Sequence, residues 1–233
     1  MCGRISLKTP MHVLARLFGV DITFDLAPRY NIAPTQSTLV IRSNGHARRA
    51  VMARWGFIPP WRTHGEKGPE PINARSESAP ESRLFGAALR ARRCVVPASG
   101  FYEWQAVQGG RAKRPFHIEP VGSEVFALAG LWSLWQPHNA EAVESFTILT
   151  CAPNEVMKPI HDRMPVILPM QAIEAWLDPT LDDMTTIRTM LSPASPLCMS
   201  ALSVTNHVNN PKNDDPRCVE PAVPAPEDSG LFQ

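Results

Sequence analysis

The chain opens Met1-Cys2-Gly3-Arg4, and no other stretch carries chemistry as distinctive. Methionine aminopeptidases remove an initiator Met that precedes a small residue, and Cys qualifies. The expected mature chain starts at Cys2, with a free α-amine and a thiol on adjacent carbons. Such a 1,2-aminothiol condenses with an aldehyde to an imine, and the thiol then closes a five-membered thiazolidine on the same carbon. The α-amine titrates at about 7.7–8.0 and a thiol at about 8.5, so modest tuning arms both. The bland alternative is a frayed terminus whose second residue is incidental.

Three further stretches hold groups that move protons or bind anions. In an extended Ile72–Glu77 segment, Asn73, Arg75 and Glu77 share one face, aligning an amide, a guanidinium and a carboxylate. In Ser99-Gly100-Phe101-Tyr102-Glu103-Trp104, alternation puts Glu103 beside Phe101, and a carboxyl desolvated by aromatics has its pKa raised. The usual fate of Glu, a solvated strand edge, is the competing reading. Pro159–Pro165 sets His161, Asp162 and Arg163 between two prolines. Trp55 and Trp61 lie beside Gly and Pro, where they either cap a core or offer flat faces for base stacking. None of the seven histidines has metal-ligand spacing, and HExxH, GxGxxG, P-loop and GxSxG motifs are missing. Neither a metal nor a nucleotide cofactor is expected.

The elements that must hold these groups come from composition and pattern. A length of 233 residues suffices for a sizeable core, and 24 prolines predict short elements and many loops. Five cysteines without a CxxC pair fit a reducing compartment and a cytoplasmic protein. There is no signal-peptide pattern, and the longest apolar run, Val125–Trp132, is too short to span a bilayer. Net charge is +1, but residues 1–116 hold 18 Lys/Arg against 7 Asp/Glu, while the remainder holds 5 against 15. An Arg-rich half suits bidentate phosphate recognition, unless the two halves neutralise each other across an interface.

Thr9-Pro10 predicts a helix start, with Val13, Leu14, Leu17 and Phe18 as a core stripe ending at Gly19. Arg29–Pro34 reads as a fixed loop. Thr38–Arg42 and Arg48–Arg54 are predicted strands joined by Asn44-Gly45. Ser82 is placed as the cap of a short helix through Leu89. Cys94–Ala98, Phe116–Glu119, Val125–Trp132, Phe146–Cys151 and Val166–Leu168 read as strands, with a turn at Gly109-Gly110. Ala172–Leu177 and Asp183–Leu191 are predicted surface helices, and Val204–Pro216 a polar loop. The expected fold is α+β, a single domain over residues 1–220 with a mainly antiparallel, barrel-like β core flanked by short helices. Residues 221–233 are expected to be a disordered tail.

Taken together, Cys2-Gly3-Arg4, Tyr30-Asn31-x-Ala33-Pro34, Trp55-Gly56…Pro59-x-Trp61, Asn73-Ala74-Arg75-x-Glu77, Arg93-Cys94…Gly100–Trp104 and His161–Pro165 resemble the SOS-response-associated peptidase family of abasic-site processing proteins. Each motif is short; six in order, from the extreme N-terminus, are specific. The resemblance implies a covalent adduct with abasic sites in single-stranded DNA. Cys2 is implied as amine and thiol nucleophile, Asn73 as the group orienting its amine, and Glu103 as the proton carrier at amine and sugar oxygen. His161 is implied as acid or base in opening the deoxyribose. Arg4, Arg75 and Arg163 are implied as phosphate contacts, with Arg83, Phe85 and Trp61 further along the strand. A tandem Trp pair of the family is replaced here by Pro60-Trp61, leaving one stacking or wedge contact without a counterpart.

The implied chemistry is self-consistent. A base at the hydroxyl and an acid at the ring oxygen raise the open-aldehyde fraction of the sugar. The Cys2 amine attacks C1′ and loses water, giving an imine that, left alone, acidifies C2′ and promotes strand cleavage. Intramolecular closure by the thiol removes the C=N bond and suppresses that cleavage. Two rivals remain: a thiol (auto)peptidase using the Cys2 amine as its own base, and a non-covalent single-strand-binding module. A monomer is expected in each case.

Overall fold

The computed structural model describes residues 2–107, 112–138 and 141–223. The Gly109-Gly110 turn and all but the first three residues of the expected tail lie outside the described residues. In chain order, β1 (Ile5–Leu7) leads to α1 (Met11–Phe18), then β2 (Arg29–Ile32), β3 (Ser37–Ser43) and β4 (Arg48–Trp55). Next come β5 (Asn73–Arg75), α2 (Gly86–Ala91), β6 (Arg93–Ala98), β7 (Gly100–Ala106), β8 (Lys113–Pro120), β9 (Phe126–Trp135) and β10 (Val143–Cys151). The last are β11 (Met164–Pro165), β12 (Ile167–Leu168), α3 (Ile173–Leu177), α4 (Met184–Thr189) and β13 (Met199–Ser203).

β4, β3, β6, β9 and β10 are hydrogen-bonded in that order, and β10 pairs back with β4, so the five close into a barrel. Only the β4–β10 seam is parallel. The barrel interior covers one face of β6 and α2, α3 and β1 pack on the other, which is why all of Arg93–Ala98 is buried and Cys94–Ala98 reads as an unbroken apolar run. Trp55 stacks on Phe146 across the seam at 6.0 Å. A second, antiparallel sheet runs β13-β8-β7-β1-β2. The expected α+β domain with a barrel-like core and short helices is the fold observed. No helix of the described residues is long and apolar enough to cross a membrane.

The β3–β4 hairpin forms around Asn44-Gly45, with Gly45 at φ 89°. Ser82 Oγ accepts from the N–H groups of Leu84 and Phe85 at 3.2 and 3.3 Å, but α2 starts only at Gly86 behind Phe85, so Ser82 closes the turn before the helix instead of capping it. The α1 start differs by one residue. Pro10, not Thr9, stands at the cap, and the Thr9 hydroxyl instead meets Ser99 Oγ at 2.7 Å and donates to the Glu124 carbonyl. Arg29–Ile32 is a strand rather than a loop, because it pairs antiparallel with β1, Ile32 opposite Ile5 and Arg29 opposite Leu7, while Asp214 accepts from the N–H groups of Tyr30 and Asn31 at 2.6 and 2.9 Å. Partners so remote leave no local pattern. β5 ends at Arg75, so Glu77 sits in a turn and off the face shared by Asn73 and Arg75.

The charge asymmetry is only partly a surface property. Arg29–Asp214, Lys8–Glu119, Arg16–Glu124 and Arg42–Glu144 all join the basic half to the acidic one. Arg93, from the run Arg90–Arg93, is buried and donates to the carbonyls of Leu89, Arg90 and Trp176 at 2.6–2.8 Å.

Candidate active site at Cys2

Cys2 reaches the interior because β1 lies against β7, with Ile5 opposite Phe101 and the Tyr102 N–H donating to the Arg4 carbonyl at 2.9 Å. Continuing that antiparallel register brings the Cys2-Gly3 backbone alongside Glu103. Cys2 is fully buried. Burial, and after it the charge of Glu103, push its thiol well above the ordinary range. The sulfur therefore keeps its proton until a reaction removes it.

Asn73 arrives from the barrel side. β5 docks in parallel on β10, with Asn73 opposite Ile148. Its Nδ2 donates to the Cys2 carbonyl at 2.7 Å, and its buried Oδ1 has no hydrogen-bond partner among the described residues. An orphan buried acceptor is rare and points to a donor that arrives with function.

Glu103, on β7, is 2% exposed. Desolvation raises its pKa above the ordinary carboxyl value, and the nearby His161 partly offsets the rise. His161 Nε2 lies 3.9 Å from Glu103 Oε2. The loop carrying His161 is fixed by its own turn, in which the His161 N–H donates to the Met157 carbonyl at 2.8 Å. It is also tied to β7, because Gln105 Nε2 donates to the Pro159 carbonyl at 2.8 Å. The Arg163 N–H lies 3.0 Å from His161 Nδ1, and Nε2 faces Glu103. The exposed Asp162 carboxylate lies 2.8 Å from the same Nδ1.

The arginines divide into two kinds. Arg75 is exposed at the end of β5. Arg163 grips Glu77 with two parallel bonds of 2.7 and 2.8 Å and donates to the Thr150 carbonyl at 2.5 Å. The bond to Arg163 holds the Glu77 carboxyl below its usual range. Arg4 is turned inward: Nη1 donates to Asn31 Oδ1 at 2.6 Å and to the Val208 carbonyl at 2.9 Å. Trp61 stands 60% exposed. Arg83 is exposed in the turn before α2, and the half-buried Phe85 ring packs edge-on against Phe57 at 5.4 Å.

The fold thus gathers Cys2, Asn73, Glu103 and His161, with Arg75 and Arg163 at the margin. Among the described residues, Trp61, Arg83 and Phe85 form no hydrogen bond, ion pair or ring contact with that group, and Phe85 serves the core. Sequence reasoning missed Gln105, although its period-two spacing from Glu103 places it on the same face. It also missed Thr150, for which no local signal exists. Among the described residues, one further donor cluster, His207, Asp215 and Cys218, has ligand atoms within 4.8 Å of one another. Asn213 Nδ2 donates to both the carbonyl and Nδ1 of His207, at 2.8 and 3.2 Å. That leaves the His207 proton on Nε2, bonded to Asp215 at 3.1 Å, an arrangement suited to a latch and not to a cation.

A buried N-terminal cysteine between a small barrel and a flanking antiparallel sheet, faced by an amide, a carboxyl and an imidazole, defines the class. Residues 1–211 match the family described as SOS response associated peptidase (SRAP), and the chain belongs to it. It is 37% identical over 223 residues to the abasic site processing protein YoqW of Bacillus subtilis, covering 94% of this chain and 99% of that one. The abasic site processing protein HMCES of Rattus norvegicus is 29% identical over 95% of this chain and 76% of its own length. A crystallised protein from Bacteroides thetaiotaomicron superposes with a TM-score of 0.86 at 26% identity, covering 95% of this chain and all of that one.

Proposed function

We propose that the protein processes abasic sites in single-stranded DNA by becoming covalently attached to them through Cys2, after loss of Met1. The observation that carries this reading is the enclosure of Cys2 with Asn73 at its carbonyl and the Glu103–His161 couple beside it. The sequence of steps follows from these positions. His161 and Glu103 exchange protons with the sugar hydroxyl and ring oxygen, raising the open aldehyde. The freed Cys2 amine, hydrogen-bonded by Asn73 Oδ1, adds to C1′, and water departs with the proton delivered by Glu103. The thiol then adds to the C=N carbon, its proton passing to nitrogen, and a thiazolidine results. One water leaves overall and no oxidant is needed. The product has no imine to drive strand cleavage, so the lesion is shielded.

The same reading takes the protein as a cytoplasmic monomer that needs neither metal nor nucleotide cofactor. Incubation with single-stranded DNA bearing one abasic site is the direct test. A denaturation-resistant band, with the DNA mass added to the peptide starting at Cys2, is expected. Cys2→Ser keeps the amine but lacks the thiol, so its adduct should survive only after borohydride trapping. Stable untrapped crosslinking by Cys2→Ser would exclude the thiazolidine. A thiol (auto)peptidase is the second reading, favoured by the imidazole–carboxyl couple beside the thiol. It predicts peptide cleavage and no dependence on the abasic site.

A further inference from the structure

β1 is three residues long, yet it carries Cys2 into the site. Two polar side chains, Ser6 on β1 and Lys8 just after it, are held from two strands away. Ser6 is fully buried, with Oγ 3.0 Å from His117 Nε2. Lys8 Nζ donates to Glu119 Oε1 at 2.8 Å, and the same oxygen lies 3.3 Å from His117 Nδ1. Ser6 and Lys8, one residue past the end of β1, lie two residues apart on the same side of the chain, as His117 and Glu119 share one face of β8. β7 runs between them. Two inter-strand spacings amount to about 9.5 Å, a reach that side chains of a middle strand normally block.

The middle strand gives way at Gly100, which is in register with Ser6. A Cβ there would lie 2.3 Å from His117 Nε2 and 2.6 Å from Cε1, so any side chain at this position displaces the ring. The other face of the imidazole is closed by Tyr102, with ring centroids 4.5 Å apart. Ser6, His117 and Glu119 follow the bonding order of a hydrolytic triad. Ser6 is 0% and His117 1% exposed, however, so no substrate reaches them. The cluster is a strut.

We infer that His117, backed by Glu119 and admitted by Gly100, is a positioning residue that pins β1 across β7 and so sets where Cys2 meets its electrophile. This rests on the reading of Cys2 as the nucleophile. A short strand has few main-chain bonds to define its register, and a one-residue slip turns every side chain to the opposite face. The Ser6–His117 bond adds a side-chain constraint in the direction that main-chain pairing leaves weakest.

The test compares Ser6→Ala, Ser6→Thr and His117→Gln with the wild type. Ser6→Thr keeps the hydroxyl. Crosslinking to abasic single-stranded DNA is timed at saturating and sub-saturating DNA, and alkylation of Cys2 by iodoacetamide is followed by peptide mass in the folded protein. Ser6→Ala and His117→Gln should crosslink about tenfold more slowly at saturation, with the half-saturating DNA concentration unchanged. Their Cys2 should alkylate several-fold faster, and Ser6→Thr should restore both readouts. Wild-type crosslinking and wild-type Cys2 protection in Ser6→Ala would overturn the inference. So would a loss expressed wholly in DNA affinity. If wild-type protein forms no adduct, the nucleophile reading fails, while the alkylation comparison still decides whether the strut holds Cys2 in place.

Discussion

The side-chain amide of Asn73 meets the main-chain carbonyl of Cys2 at 2.7 Å, joining the barrel to the N-terminal strand. The bond fixes the amide so that its buried Oδ1 is left for a donor on the Cys2 side. Asn73→Ala should slow adduct formation about tenfold, the factor that about 1.4 kcal/mol represents for a lost buried hydrogen bond. Rates on denaturing gels with excess protein decide it. A wild-type rate in Asn73→Ala would remove this residue from the reaction.

Arg75 and Arg163 should behave differently on DNA. Arg75 is exposed, so Arg75→Ala should leave the melting temperature in place and lower the salt slope of single-strand binding by about 0.7, one phosphate contact. Arg163 is bonded to Glu77 and Thr150, so Arg163→Ala should lower the slope and also loosen the His161 loop, seen as a lower melting temperature. Unchanged slopes in both variants would move the DNA path to another surface.

Glu103 and His161 should divide the proton transfers. His161→Ala is expected to slow crosslinking to the closed abasic sugar far more than reaction with a substrate presenting a free aldehyde. Glu103→Gln should slow both. Because burial raises the Glu103 pKa, its protonated form persists to higher pH than that of an ordinary carboxyl. The wild-type rate should fall as pH rises through that raised value, and Glu103→Gln should lack this limb. Equal impairment of the two substrates by His161→Ala would reassign His161 to the imine or to reversal.

Stability should report on His117. Burial holds its pKa below the ordinary imidazole value, so between the folded and unfolded pKa the unfolded chain binds a proton that the fold refuses. The contribution is whole above pH of about 6.5 and is lost as pH falls below it, by up to about 1.4 kcal/mol per pH unit. Lys8, Glu119, Ser6 and Tyr102 face the ring, and Glu119, held down to about 2, stays charged throughout this window. Urea midpoints measured from pH 7.5 to 5 should show a flatter profile for His117→Gln than for wild type.

Much of this molecule is written locally. The α1 stripe with its Gly19 stop, the β3–β4 hairpin and the buried run of β6 follow from periodicity, glycine and apolar content over a few residues. The six ordered motifs likewise name the residues that the fold later gathers at Cys2. Tertiary structure decided what those residues touch. Arg29–Ile32 became a strand because it pairs with β1 and is tied by Asp214, Glu77 left the Asn73 face to bind Arg163, and Arg4 turned inward to Asn31. Gly100 carries no local sign of its role, yet it gives way to an imidazole from the neighbouring strand. Local sequence encodes preferences of the backbone, whereas hydrogen bonds between residues 27 to 183 positions apart exist only once the sheets have closed.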